Sequence, residues 1–82
     1  MLPPPVLSRL AEHLPREDLT PRETEVLRMV ARGLSNSQIG AVLFCSENTV
    51  KAHLKRVLAK LGASDRTEAV TIALRRGIMH LD

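Results

Sequence analysis

An all-α fold is the prediction from this sequence: a four-helix domain preceded by a short linker helix. Three observations predict it. Apolar residues recur at helical rather than alternating spacing along the chain. Four helix-start signals follow one another, Thr20-Pro21-Arg22-Glu23, Ser35-Asn36-Ser37-Gln38, Ser46 and Ser64. Gly33, Gly62 and Gly77 stand where helices take a left-handed residue just past their ends.

The elements follow in order. After Pro3, Pro4 and Pro5, the apolar positions Val6, Leu7, Leu10 and Leu14 predict a short amphipathic helix that Pro15 ends. Arg16, Glu17 and Asp18 then read as linker. Helices are expected near 21–32, 36–43, 47–61 and 65–76. Their core stripes are Val26, Leu27 and Val30; Ile39, Val42 and Leu43; Val50, Leu54, Val57, Leu58 and Leu61; and Ala69, Val70, Ala73 and Leu74. Only Phe44 and Cys45 separate the second helix from the Ser46 cap of the third, which is the sequence form of a helix-turn-helix.

Composition removes several function classes. A chain of 82 residues, 44% hydrophobic and 26% charged, makes one small soluble domain with no room for a deep catalytic cleft. No apolar run is long enough to span a bilayer and no secretory signal opens the chain, so the cytoplasm is the expected compartment. One cysteine forms no internal disulfide, no Cys/His spacing suits zinc, and no cofactor is expected. A single aromatic, Phe44, argues against a base-stacking platform for single strands. The net charge is only +3, but it is unevenly spread. Residues 9–25 carry three arginines against five acids, whereas 48–63 carry Lys51, Lys55, Arg56 and Lys60 with no acid.

That basic segment is the third helix. Asn48, Lys51, Ala52 and Lys55 form one stripe beside its apolar face, because residues three and four apart are neighbours. In a helix-turn-helix the start of the second helix meets base edges in the major groove, where lysine donates to guanine and a methyl group touches thymine. Lys51, Ala52 and Lys55 are therefore the candidate base contacts. Asn36, Asn48 and Thr49 are candidate phosphate contacts, since helix starts offer free N–H groups to anions, and the basic Arg56 further along the third helix is a fourth. Ser35 and Ser46 read primarily as caps. The plain alternative for the lysines is a solvated face. The last helix is apolar over about 200° of its wheel, more than one core face needs, so Ala69, Ile72 and Ala73 are candidates for contact with a second copy of the domain.

These residues together resemble the LuxR-type DNA-binding domain of NarL/FixJ-family response regulators. The resemblance rests on Leu19-Thr20-Pro21-Arg22-Glu23, Glu25-Val26-Leu27, Gly33-Leu34-Ser35-Asn36, Ile39, Leu43, Ser46, Thr49-Val50-Lys51, His53, Lys60-Leu61, Arg66 and Ala69-Val70. It implies a linker with a short helix at 1–18 and a helix-turn-helix DNA-binding domain at 19–82. It also implies a homodimer on double-stranded DNA at an inverted repeat, and a receiver domain in a longer two-component protein. RNA polymerase is a further candidate partner. Base contact through Lys51, Ala52 and Lys55 is carried over by the same match. The sequence departs from the family at Ser37, where Lys or Arg is common, at Gln38, Gly40 and Cys45. By helix propensity alone, Gly40 weakens its helix by up to about 1 kcal/mol relative to Ala.

Glu23 and Arg66, both matched positions, are expected to form a structural ion pair between the first and last helices; the plain alternative leaves Glu23 closing its capping box. Cys45 reads as a small buried hydrophobe and His53 as a packing residue at the helix edge. Neither has the third group that a nucleophile and base need, so no catalytic residue is expected. The rival readings are a sigma-factor promoter-recognition domain, similar up to Leu61, and a helical protein-interaction module without DNA binding.

Overall fold

In the computed structural model, residues 18–81 are described, and the predicted linker helix lies outside them. Four helices follow: α1 (Pro21–Ala31), α2 (Asn36–Leu43), α3 (Glu47–Leu61) and α4 (Arg66–Arg75). Among the described residues there is no strand.

The caps explain where helices begin. The Thr20 hydroxyl accepts from the Glu23 N–H at 3.1 Å while the Glu23 carboxylate accepts from the Thr20 N–H at 2.9 Å. Ser35 and Gln38 repeat this box at 3.1 and 2.8 Å, and Ser46 accepts from the Thr49 N–H at 3.1 Å. The fourth cap differs from the expected Ser64. Asp65 takes that place, its carboxylate accepting from the Glu68 N–H at 2.8 Å, while the Ser64 N–H donates to Glu68. A carboxylate is the stronger acceptor at the positive end of a helix, and Asp65 has an acid three residues on whereas Ser64 does not. At the other ends, α1, α3 and α4 run into Gly33, Gly62 and Gly77 at positive φ.

Packing centres on α3. Val50 and Leu54 meet Val26 of α1 and Ile39 of α2 in one buried cluster. Val57 and Leu61, further along the same stripe, meet Leu27 of α1, Ala69 and Ala73 of α4 and Met79 in a second. Each fully buried Leu, Ile, Val or Met contributes on the order of 1.5–3 kcal/mol. Val42, expected in the core, is 52% exposed because α2 turns Ile39 inward and leaves Val42 on its flank. Met79 was not legible as core: it follows the last helix, where the chain turns at Gly77 and its N–H reaches back to the Ala73 carbonyl.

α4 and its partners differ from the sequence expectations in two respects. Ala69 and Ala73 are 0% exposed and belong to the domain's own core, so neither is a surface for a second copy. They share the face of α4 that closes on Leu27 and Val57, and only Ile72, half-buried, remains near the surface. The expected Glu23–Arg66 ion pair is absent as well. The Glu23 carboxylate accepts from Lys60 Nζ at 2.7 Å, because packing of Val57 and Leu61 sets the last turn of α3 beside the start of α1. Arg66 reaches the α1–α2 turn instead.

Glu23 is 2% exposed, and burial by itself raises its pKa. The hydrogen bond from Lys60, the Thr20 N–H and the Lys60 charge outweigh that effect and hold the carboxyl below its ordinary value of 4.5. A lowered folded-state value means stability that is complete above the unfolded value and lost as pH falls through the folded one. Glu23→Gln is therefore expected to cost about 1–3 kcal/mol at neutral pH. It is also expected to flatten the acid-side loss below pH 4.5, which urea melts of both proteins across that range would measure. Parallel curves for the two proteins would contradict the role given to this carboxylate.

Candidate nucleic-acid interface

A turn of three residues, Phe44 to Ser46, joins α2 to α3. The Phe44 and Cys45 N–H groups both turn back to the Gly40 carbonyl. Phe44 closes α2 in the left-handed conformation, at φ 56 and ψ 43, and is the one described non-glycine residue with positive φ. Close approach of the turn to α2 accounts for Gly40. A Cβ there would stand 2.6 Å from the Cys45 carbonyl oxygen, so the gain that helix propensity promises an alanine is not available without moving the turn. Cys45 itself is half-buried against the first cluster.

This turn and the shared core fix which side of α3 faces out. Val50, Leu54, Val57 and Leu61 are buried, while Asn48, Lys51, Ala52, Lys55, Arg56 and Ala59 are all exposed. The stripe read from spacing is thus a continuous outer surface. Its acid-free run begins after Glu47, which sits in the first turn of α3 where a negative charge suits the dipole. Lys60 does not share that surface: it is turned to Glu23 and the Asp18 carbonyl. Thr49 is exposed, with its hydroxyl 2.9 Å from that of Ser46. His53 is half-buried, as a residue at the edge of the packed face should be, and its Nδ1 is buried without a hydrogen-bond partner among the described residues.

The start of α2 lies on a second element. Ser35 and Ser37 are exposed and Asn36 is half-buried. Asn36 Oδ1 accepts from the Arg66 guanidinium at 2.9 Å, and the same guanidinium donates to the Leu34 carbonyl at 3.1 Å. Spacing missed this bridge because its ends lie 30 residues apart. On α4, Glu68, Thr71 and Arg75 are exposed around Ile72. The described residues hold no group of three or more His, Cys, Asp or Glu able to hold a metal ion, and no described helix is long and apolar enough to cross a membrane.

Comparison with known proteins agrees with this geometry. The family profile "Bacterial regulatory proteins, luxR family" matches residues 17–73. The chain is 52% identical over 63 residues to the uncharacterized transcriptional regulatory protein YxjL of Bacillus subtilis, covering 77% of this chain and 29% of that protein. It is 44% identical over 79 residues to the transcriptional regulatory protein LiaR of Bacillus subtilis, covering 92% and 37% respectively. The chain thus spans about a third of the length of these relatives. Among solved structures, the transcription factor GerE superposes with a TM-score of 0.76 at 38% identity, over 80% of this chain and 98% of that one.

The left-handed Phe44 generates a prediction. Its side chain is 96% exposed, so it has little packing to lose, while an L residue in this conformation costs roughly 1 kcal/mol. Phe44→Gly is expected to raise stability by about 0.5–1 kcal/mol, measured by thermal unfolding. A lower melting temperature would show that Phe44 makes a contact that its exposure conceals.

Proposed function

Because the chain belongs to the luxR family of bacterial regulatory proteins, we propose that residues 19–82 are the sequence-specific, duplex-DNA-binding domain of a two-component response regulator. Residues 1–18 are its linker from a receiver domain. One observation carries the reading: α3 buries one stripe and offers Lys51, Ala52 and Lys55 on the other, free of acid.

In this proposal α3 enters the major groove. Lys51 and Lys55 donate to guanine O6 and N7, and the Ala52 methyl meets a thymine methyl. Asn48 and Thr49 at the start of α3, Arg56 further along and Asn36 at the start of α2 hold phosphates and set the register. The domain binds and performs no reaction of its own. On DNA it pairs with a second copy at an inverted repeat, since a two-fold protein contact matches a two-fold operator. With Ala69 and Ala73 inside the core, the pairing surface is Ile72 with Glu68, Thr71 and Arg75 around it. A two-fold axis through Ile72 sets Glu68 of one copy toward Arg75 of the other. Phosphorylation of the receiver domain releases this surface, and RNA polymerase is the further partner that would turn binding into regulation.

Selection from a random duplex library at low salt tests the whole reading. An enriched inverted repeat is expected, and no enrichment by a folded domain would overturn it. On the selected site, Lys51→Ala or Lys55→Ala is expected to cost about 1–3 kcal/mol and to relax base preference. Arg56→Ala should weaken all sequences alike and reduce the salt slope, itself about −4 to −7 for a dimer with four to eight phosphate contacts, by about 1. Ile72→Asp is expected to lower the melting temperature, because Ile72 packs half-buried against the core, and, in the folded variant, to reduce binding to one domain per operator. Sedimentation with the duplex reads that stoichiometry, and two copies bound to DNA would move the pairing surface elsewhere.

A further inference from the structure

Arg66 opens α4, and its charge stands at the end of that helix where the dipole disfavours a cation. Its side chain does not serve its own helix. It crosses to the α1–α2 turn, where one guanidinium nitrogen donates to Asn36 Oδ1 at 2.9 Å and another to the Leu34 carbonyl at 3.1 Å. A guanidinium has donors only, so the Asn36 atom facing it must be the carbonyl oxygen, and the amide nitrogen points the other way. No described hydrogen bond uses that nitrogen, yet it is not among the buried unpartnered atoms, so it reaches solvent. Asn36 is the first residue of α2, the helix that in a helix-turn-helix crosses the DNA backbone.

Resting on the DNA-binding reading above, we propose that Arg66 is a positioning residue for DNA: it holds the Asn36 side chain so that its amide N–H groups face outward and donate to a phosphate. The planar fork suits the task, because it engages two acceptors in fixed directions and thereby ties the turn before α2 to the first residue of α2. Stability and recognition are joined here, since the bond that ties α4 to the turn also decides which end of the amide the DNA meets.

The test uses the 82-residue chain and a short mixed-sequence duplex, because a phosphate contact is read without an operator. The side-chain amide resonances of Asn36 are followed by nuclear magnetic resonance as duplex is added. They are expected to shift in the wild type and to stay in place in Arg66→Ala. Arg66→Ala and Asn36→Ala are each expected to weaken binding about three- to ten-fold, and the double variant no further than either single one. Losses that multiply would mean that Arg66 does not act through Asn36. An unmoved Asn36 amide, with the Lys51 and Lys55 amides shifting, would overturn the positioning role and leave the DNA reading intact. If no resonance moves, the DNA reading itself falls. Should Arg66→Ala fail to fold by circular dichroism, the wild-type titration and Asn36→Ala still decide.

Discussion

One stripe of side chains on α3 carries the domain. Val50, Leu54, Val57 and Leu61 recur at steps of four, three and four, so they lie along one line of the helix and present a continuous apolar edge. The first half of that edge closes on α2 and the second on α4, with α1 laid across both through its adjacent residues Val26 and Leu27. No other element touches both clusters with fully buried residues except α1. Three helices are thus oriented by a fourth, and the direction of that stripe decides which residues of α3 are left outside. The outer face with Lys51 and Lys55 is a consequence of the core, which gives a rigid scaffold to the side chains proposed to read bases.

A domain of this size with a single cysteine has no internal disulfide to supplement its core, and its described residues hold no metal-binding group. Polar side chains at the helix ends supply some of the missing order. Lys60 ties the end of α3 to the start of α1 through the buried Glu23 carboxylate, which simultaneously closes the cap of its own helix. Arg66 ties the start of α4 to the turn before α2. The Lys60 bridge runs between segments that the second cluster already brings together, whereas the Arg66 bridge joins α4, packed in that cluster, to a turn whose Leu34 packs against the first. A buried ion pair gains from its attraction roughly what desolvation takes away, so such contacts fix geometry more than they add stability. That suits a domain whose proposed work is to hold two helix starts and one helix face in fixed relation to DNA.

The α2–α3 turn shows the same coupling of local cost to overall placement. Gly40 weakens α2, and a left-handed Phe44 is unfavourable for an L residue, yet together they let the chain reverse within three residues.

Much of this was legible in the sequence because it depends on local rules. Helical spacing, capping residues and glycines predicted α2 and α3 to the residue and α1 and α4 to within one residue at each end. The exposed stripe of α3 followed from the same periodicity, and the family from motifs in fixed register. Tertiary structure decided everything that depends on which of several equivalent faces turns inward. The apolar arc of α4 was wider than one core face, and only packing against Leu27 and Val57 assigned Ala69 and Ala73 to the interior. Glu23 was expected to pair with Arg66, and the approach of the end of α3 gave it Lys60 instead. Met79 had no periodic frame to mark it as core. Periodicity counts residues along one helix, whereas pairing depends on distances between helices, and those exist only once the core has closed.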